Sequence, residues 1–165
     1  MESSRLVLDG ALYALVASVC LMAIMAINPR FFLHDYPKPI QAQVPPKADR
    51  ERRLSFLVGV PFLVILIAGP LLSTLALDRR LGGGAPFVTL ALNAAGVAFA
   101  FNLVDWLVLD WLIFCTWTPR FVVIPGSEGN PAYRDYAFHA RGFAVGTGFS
   151  LMVGLVIGGL VALLG

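Results

Sequence analysis

Four polar side chains interrupt one long apolar run, PFVTLALNAAGVAFAFNLVDWLVLDWLIFC over residues 86–115: Asn93, Asn102, Asp105 and Asp110. A carboxylate at the centre of a membrane helix costs about 2.5–3.5 kcal/mol on insertion scales, so it persists where it faces other helices, water or a ligand. At about 100° per residue on an α-helix, Ala91, Ala95, Ala98, Asn102, Asp105 and Leu109 fall on one stripe. The alanines admit a second helix at close range, which turns Asn102 and Asp105 toward the inside of a bundle. Asp110 falls about 140° around from Asp105 and about 7.5 Å further along, which argues against a shared-proton carboxylate pair on this helix alone. Asp105 therefore has two chemistries open to it: carrying a proton or ion, or being neutralised by Arg30, Arg120 or Arg141.

Further groups with chemical potential lie in the two polar stretches, NPRFFLHDYPKPIQAQVPPKADRERR (28–53) and TWTPRFVVIPGSEGNPAYRDYAFHAR (116–141). The guanidinium groups of Arg30 and Arg120 suit either an anion or a carboxylate. His34, Asp35, Glu128, Asp135 and His139 offer imidazole and oxygen ligands of the kind a metal accepts. No HExxH-type motif accompanies them, so no metal is assigned. A hydrogen bond between Asp135 and His139, four residues apart on one helical face, is the favoured reading. Neither Cys20 nor Cys115 belongs to a CxxC, and both read as small buried hydrophobes. A phosphate-cradling glycine loop, a nucleophile elbow and a dinucleotide fingerprint are all missing, and the residues name no cofactor.

These side chains must be positioned by membrane helices. Hydrophobic residues make up 58% of the chain and charged residues 13%, about half the charge of a soluble domain. The fold class expected is all-α, a transmembrane four-helix bundle forming a single membrane domain. Its spans are placed at about 6–27, 54–77, 86–114 and 142–164, each near the roughly 20 residues that cross a bilayer. The longer polar loops are 28–53 and 115–141. Residues 6–27 exceed a signal-peptide core and follow a leader, MESSR, that is not net basic, so the first span is expected to be retained. Arg5 and Asp9 can pair at its mouth. Pro37, Pro39, Pro45 and Pro46 predict an extended connection in the first loop. Pro61 and Gly69–Pro70 predict kinks in the second span. All three tryptophans, Trp106, Trp111 and Trp117, are expected at the membrane boundary.

Lys and Arg are distributed unevenly. Arg5, Arg79 and Arg80 lie on one side, against Arg30, Lys38, Lys47, Arg50, Arg52, Arg53, Arg120, Arg134 and Arg141 on the other. The positive-inside rule then makes both long loops cytoplasmic and both termini external. The basic cluster 47–53 reads as this orienting flank rather than as an anionic headgroup site. Partners expected are the lipid bilayer and, through the GxxxG-spaced Gly142/Gly146 and Gly154/Gly158, a second copy or a membrane partner; packing within the bundle explains these glycines equally well. Nucleic acid is not expected. Pro-Arg-Phe recurs at 29–31 and 119–121, and Asp-Tyr at 35–36 and 135–136, a faint echo that a parallel repeat would produce.

The stretch NLVDWLVLDWLIFCTWTPRFVVIPG and its continuation GSEGNPAYRDYAFHARGF resembles a group of small uncharacterised bacterial four-helix membrane proteins. The resemblance implies a bacterial inner-membrane setting and brings no established activity. Small multidrug transporters are of similar size, but they carry a carboxylate in the first helix and have short loops, a pattern this chain lacks. Three functions follow from the residues. The first is a bundle that binds a lipid or small ligand, or is a subunit of a membrane assembly. The second is a proton- or ion-coupled transporter using Asp105. The third is a membrane-interface enzyme acting on a lipid headgroup through His34, Asp35, Asp135 and His139.

Overall fold

A computed structural model describes residues 2–164 of the 165-residue chain. It is all-α, with α1 at Glu2–Ile27, a short α2 at Lys38–Gln43, α3 at Asp49–Arg80, α4 at Phe87–Val104 and α5 at Tyr136–Leu164. The α4 helix continues without a break into a π-helical segment, Asp105–Trp117. Four helices are long and apolar enough to cross a membrane: Ser4–Ile27, Asp49–Arg80, Phe87–Trp117 and Tyr136–Leu164. The second span begins five residues and the fourth six residues earlier than hydropathy suggests, because their polar first turns are helical too.

The α4 helix is central, packed against α1, α3 and α5. Its contact with α5 is made by small residues. A Cβ on Gly158 would lie 2.6 Å from the Cα and N of Ala91, and one on Gly154 would lie 2.7 Å from Ala91 O. Only glycine permits this approach. Gly146 is closed in the same way by the Asn102 side chain. Three of the four spaced glycines are thus occupied within one chain, while a Cβ on Gly142 would meet open space.

The α3 helix runs through both Pro61 and Pro70. Pro70 lacks the N–H that Leu66 O would otherwise accept, and Tyr13 Oη donates to that carbonyl at 3.1 Å. The Tyr13 ring lies over Gly69, where a side chain would collide with it. A neighbouring helix thereby satisfies the carbonyl freed by the proline.

Asp9 does not pair with Arg5. Its Oδ2 accepts from Ser73 Oγ at 2.7 Å, and Asn93 Nδ2 donates to Ser73 Oγ at 3.2 Å and to Thr74 Oγ1 at 3.1 Å. This buried network joins α1, α3 and α4 and accounts for Asn93. At the same end Gly82, Gly83 and Gly84, all with positive φ, turn the chain from α3 to α4. Asp78 Oδ1 closes that turn by accepting from Ala85 N at 2.9 Å.

At the opposite end the two long loops form a packed cap. Leu33, Tyr36, Ile40, Val44, Val122, Ile124 and Tyr133 are buried together with Met25, Phe114 and Cys115. Tyr36 Oη donates to Val122 O at 2.8 Å, Ile124 N donates to Tyr133 Oη at 2.9 Å, and Asn130 Nδ2 donates to Gln43 Oε1 at 2.7 Å. The first loop is therefore not an extended connection: a 3-10 turn (Pro29–Asp35) and α2 occupy it, with Pro39 in the first turn of α2. Proline suits that position because its missing N–H would have no intrahelical partner there. Lys47 is buried, donating to Phe31 O at 2.5 Å and Ser55 Oγ at 3.1 Å. Burial pushes its ammonium below the usual range, against the pull of Asp35 and Glu51.

Candidate functional site

The π-helix sets the site. In an α-helix Asp105 and Asp110 diverge, but a π-helix bonds each N–H to the carbonyl five residues back, so residues five apart come nearer to one face than they do in an α-helix. Trp106 and Trp111, also five apart, meet with ring centroids 4.8 Å apart. Leu109 and Phe114, again five apart, are both buried. Asp105 and Asp110, expected to diverge, both line one cavity. Three threonine contacts finish the segment. Thr116 Oγ1 donates to Trp111 O at 2.7 Å, Thr118 Oγ1 donates to Phe114 O at 2.9 Å, and Thr118 N donates to Ile113 O at 2.8 Å. Thr118 adopts φ 48°, the one non-glycine residue with positive φ among those described.

The cavity has a volume of about 670 Å³ and lies between the four spans beneath the cap. Phe101, Trp106, Phe114, Phe138, Phe143 and Phe149 give it an aromatic wall, and Tyr36 and Val122 close it at the cap. Its polar side chains are His34, Asp35, Asn102, Asp105, Asp110 and His139. His139 is 6% exposed. Its Nδ1 lies 2.9 Å from Asp110 Oδ1, and its Nε2 has no hydrogen-bond partner. A carboxylate on Nδ1 holds the proton there and leaves the Nε2 lone pair free as an acceptor.

Asn102 is committed to packing, with Nδ2 donating to Phe143 O and to Thr147 Oγ1, each at 3.2 Å. Interhelical bonds of this kind contribute about 0.6 kcal/mol each in a membrane. No cation lies within ion-pair distance of Asp105 among the described residues. Asp35 sits at the cap end of the cavity. Desolvation raises its carboxyl above the usual range, with Lys47 and His34 pulling the other way.

Several expected pairings are replaced. Arg30 does not reach Asp105: its Nε donates to Glu51 Oε1 at 2.6 Å and its Nη2 to Glu51 Oε2 at 3.1 Å and Pro45 O at 3.1 Å. Glu51 also accepts from Ala48 N, so this clamp fixes the start of α3, and Arg30 is explained structurally. Arg120 and Arg141 are exposed and outside the cavity. Asp135 does not bond His139. It precedes α5 and accepts from Phe138 N at 2.8 Å, as short polar side chains do where a helix's first N–H groups lack partners. Among the described residues, no three His, Cys, Asp or Glu side chains converge to hold a metal ion.

Of the tryptophans, Trp106 stacks on Phe143 of α5 with ring centroids 4.2 Å apart. Trp117 alone is strongly exposed. The Pro-Arg-Phe echo divides in role, since Arg30 clamps Glu51 while Arg120 is exposed; Tyr36 is buried and Tyr136 is exposed. No family model, curated protein or solved structure matches this chain.

Proposed function

We propose that this integral membrane protein binds a small lipophilic ligand in the cavity between its four spans and its cap. One observation carries the reading: a cavity of about 670 Å³ with an aromatic wall and a small number of converging polar groups, one of them an unpartnered imidazole nitrogen. Ligand sites have this composition, mostly apolar with a few placed polar atoms that fix orientation. The orientation that the Lys and Arg distribution supports puts the cap in the cytoplasm and both termini outside. The resemblance noted above supports a bacterial inner membrane.

Gly142 offers the test, because it lines the cavity and a Cβ there meets open space. Gly142→Leu starts from a Cβ that meets nothing, adds bulk to the cavity wall and raises helix propensity. Protein purified in nanodiscs and extracted with organic solvent is expected to release a bound small molecule in near-stoichiometric amount, and the Gly142→Leu protein is expected to release little. Identical extracts from the two proteins would overturn the reading.

A second reading, proton-coupled transport through the same cavity, is favoured by the position of Asp105 deep in a span with no cation beside it. Intramembrane carboxylates of this kind mark proton and ion pathways. Proteoliposomes are expected to take up protons with the extracted ligand only when Asp105 is present. Uptake that survives Asp105→Asn would remove the transport reading and leave the binding one standing.

A further inference from the structure

We infer that the ligand of this cavity is a lipophilic amine, bound through its ammonium N–H groups to Asp105 and His139 and admitted sideways from the bilayer. The inference rests on the binding function proposed above and names the chemical class. Its first support is the sign of charge. The cavity is lined by Asp35, Asp105 and Asp110, and by no lysine or arginine. Asp110 is engaged by His139 Nδ1, whereas among the described residues no cation lies within ion-pair distance of Asp105. An ammonium supplies the partner that the protein withholds. A phosphate or carboxylate head would meet three carboxylates and no lysine or arginine, with His34, His139 and the unpartnered Trp106 Nε1 as the polar groups of other kinds, so ordinary phospholipid headgroups are disfavoured.

The second support is the state of His139. With Nδ1 turned to Asp110, the buried and unpartnered Nε2 accepts a hydrogen bond, and leaving it unmade has a desolvation cost that a ligand N–H removes. The aromatic wall adds to this, since ring faces attract cations, the more so when both are desolvated.

The third support is the access route. Val145 and Phe149 line the cavity and are 61% and 58% exposed. Both lie on α5 within a span, and Phe62 and Leu66 of α3 line the cavity with them. The cavity therefore reaches the lipid-facing surface between α3 and α5. A ligand entering there needs an apolar body to dissolve in the acyl chains and a head that meets the acidic wall further in.

Three ligands with one body and different heads test this on the intact chain in nanodiscs: 1-naphthylmethylammonium, 1-naphthylmethanol and 1-naphthoate, followed by calorimetry and by the fluorescence change of Trp106. The ammonium is expected to bind at least about tenfold more tightly than the alcohol, as a charge-assisted hydrogen bond implies, and the carboxylate is expected not to bind. Asp105→Asn is expected to remove the ammonium's advantage while changing the alcohol's affinity by less than about twofold. Equal affinity for ammonium and alcohol, preference for the carboxylate, or an ammonium affinity unchanged in Asp105→Asn would each overturn the amine assignment and leave a ligand site in place. Failure of all three ligands to bind the unmodified protein would overturn the assignment, and with identical extracts from the Gly142→Leu protein it would overturn the binding function as well.

Discussion

Gly158→Val is expected to separate α5 from α4 and to destabilise the protein by about 3 kcal/mol or more, at or above the upper end for overpacked cores. The reason is where the added carbon would fall. It would lie 2.6 Å from the Cα and N of Ala91, atoms of a helix backbone that no rotamer change can move aside. Relief requires the two helices to part over Gly154 and Gly158, which undoes the burial of Leu90, Ala94, Ile157 and Val161 at that end. Gly142→Val is the matched control, because a Cβ there meets open space. Unfolding by sodium dodecyl sulfate, followed by tryptophan fluorescence, is expected to show Gly158→Val unfolding at much lower detergent fraction than the control. Equal stability would mean that the α4–α5 contact is not as described. A contact between two chains through these glycines makes the opposite forecast, a change of mass by light scattering with the unfolding curve in place.

Much of the fold was legible because a bilayer leaves so few options. A charged fraction half that of a soluble domain and four long apolar runs require a helical bundle, and the alanine stripe on the third run identifies the side that meets a neighbour. The site was less legible, since its geometry depends on a local departure from α-helical spacing. Reading Asp105 and Asp110 at 100° per residue separates them. The signal that they belong together is present in the same letters: Asp-Trp occurs at 105–106 and again at 110–111, a repeat of five within one helix. Five is the π-helical interval, and both the carboxylates and the indoles obey it.

The loops misled for a different reason. Proline content argued for an extended chain, but Tyr36, Ile40 and Tyr133 bury apolar surface across a sequence distance that no local pattern exposes. His139 was expected to bond the nearest aspartate in sequence. The nearest in space is Asp110, because Asp135 is drawn to the bare amide groups at the start of α5.

Exchanging two neighbouring residues tests the contact between Asp110 and His139 directly. In an α-helix the residue four after Asp105 shares its face better than the residue five after it. Leu109→Asp combined with Asp110→Leu would then improve the alignment of the two carboxylates. In this structure the exchange has a cost of its own, whichever carboxylate then stands nearer to Asp105. It places a carboxylate where Leu109 is 5% exposed and takes the acceptor away from His139 Nδ1, leaving a buried donor unmatched. A buried donor left unsatisfied costs about 1–3 kcal/mol, and more where a carboxylate is buried beside it. The double variant is expected to lose about that much in the same detergent titration and to lose the ammonium preference of the cavity with it. Asp110→Asn, which keeps an oxygen for His139 to donate to, is expected to lose about 1 kcal/mol. A double variant as stable as Asp110→Asn would show that the contact between His139 and Asp110 does not hold the site together.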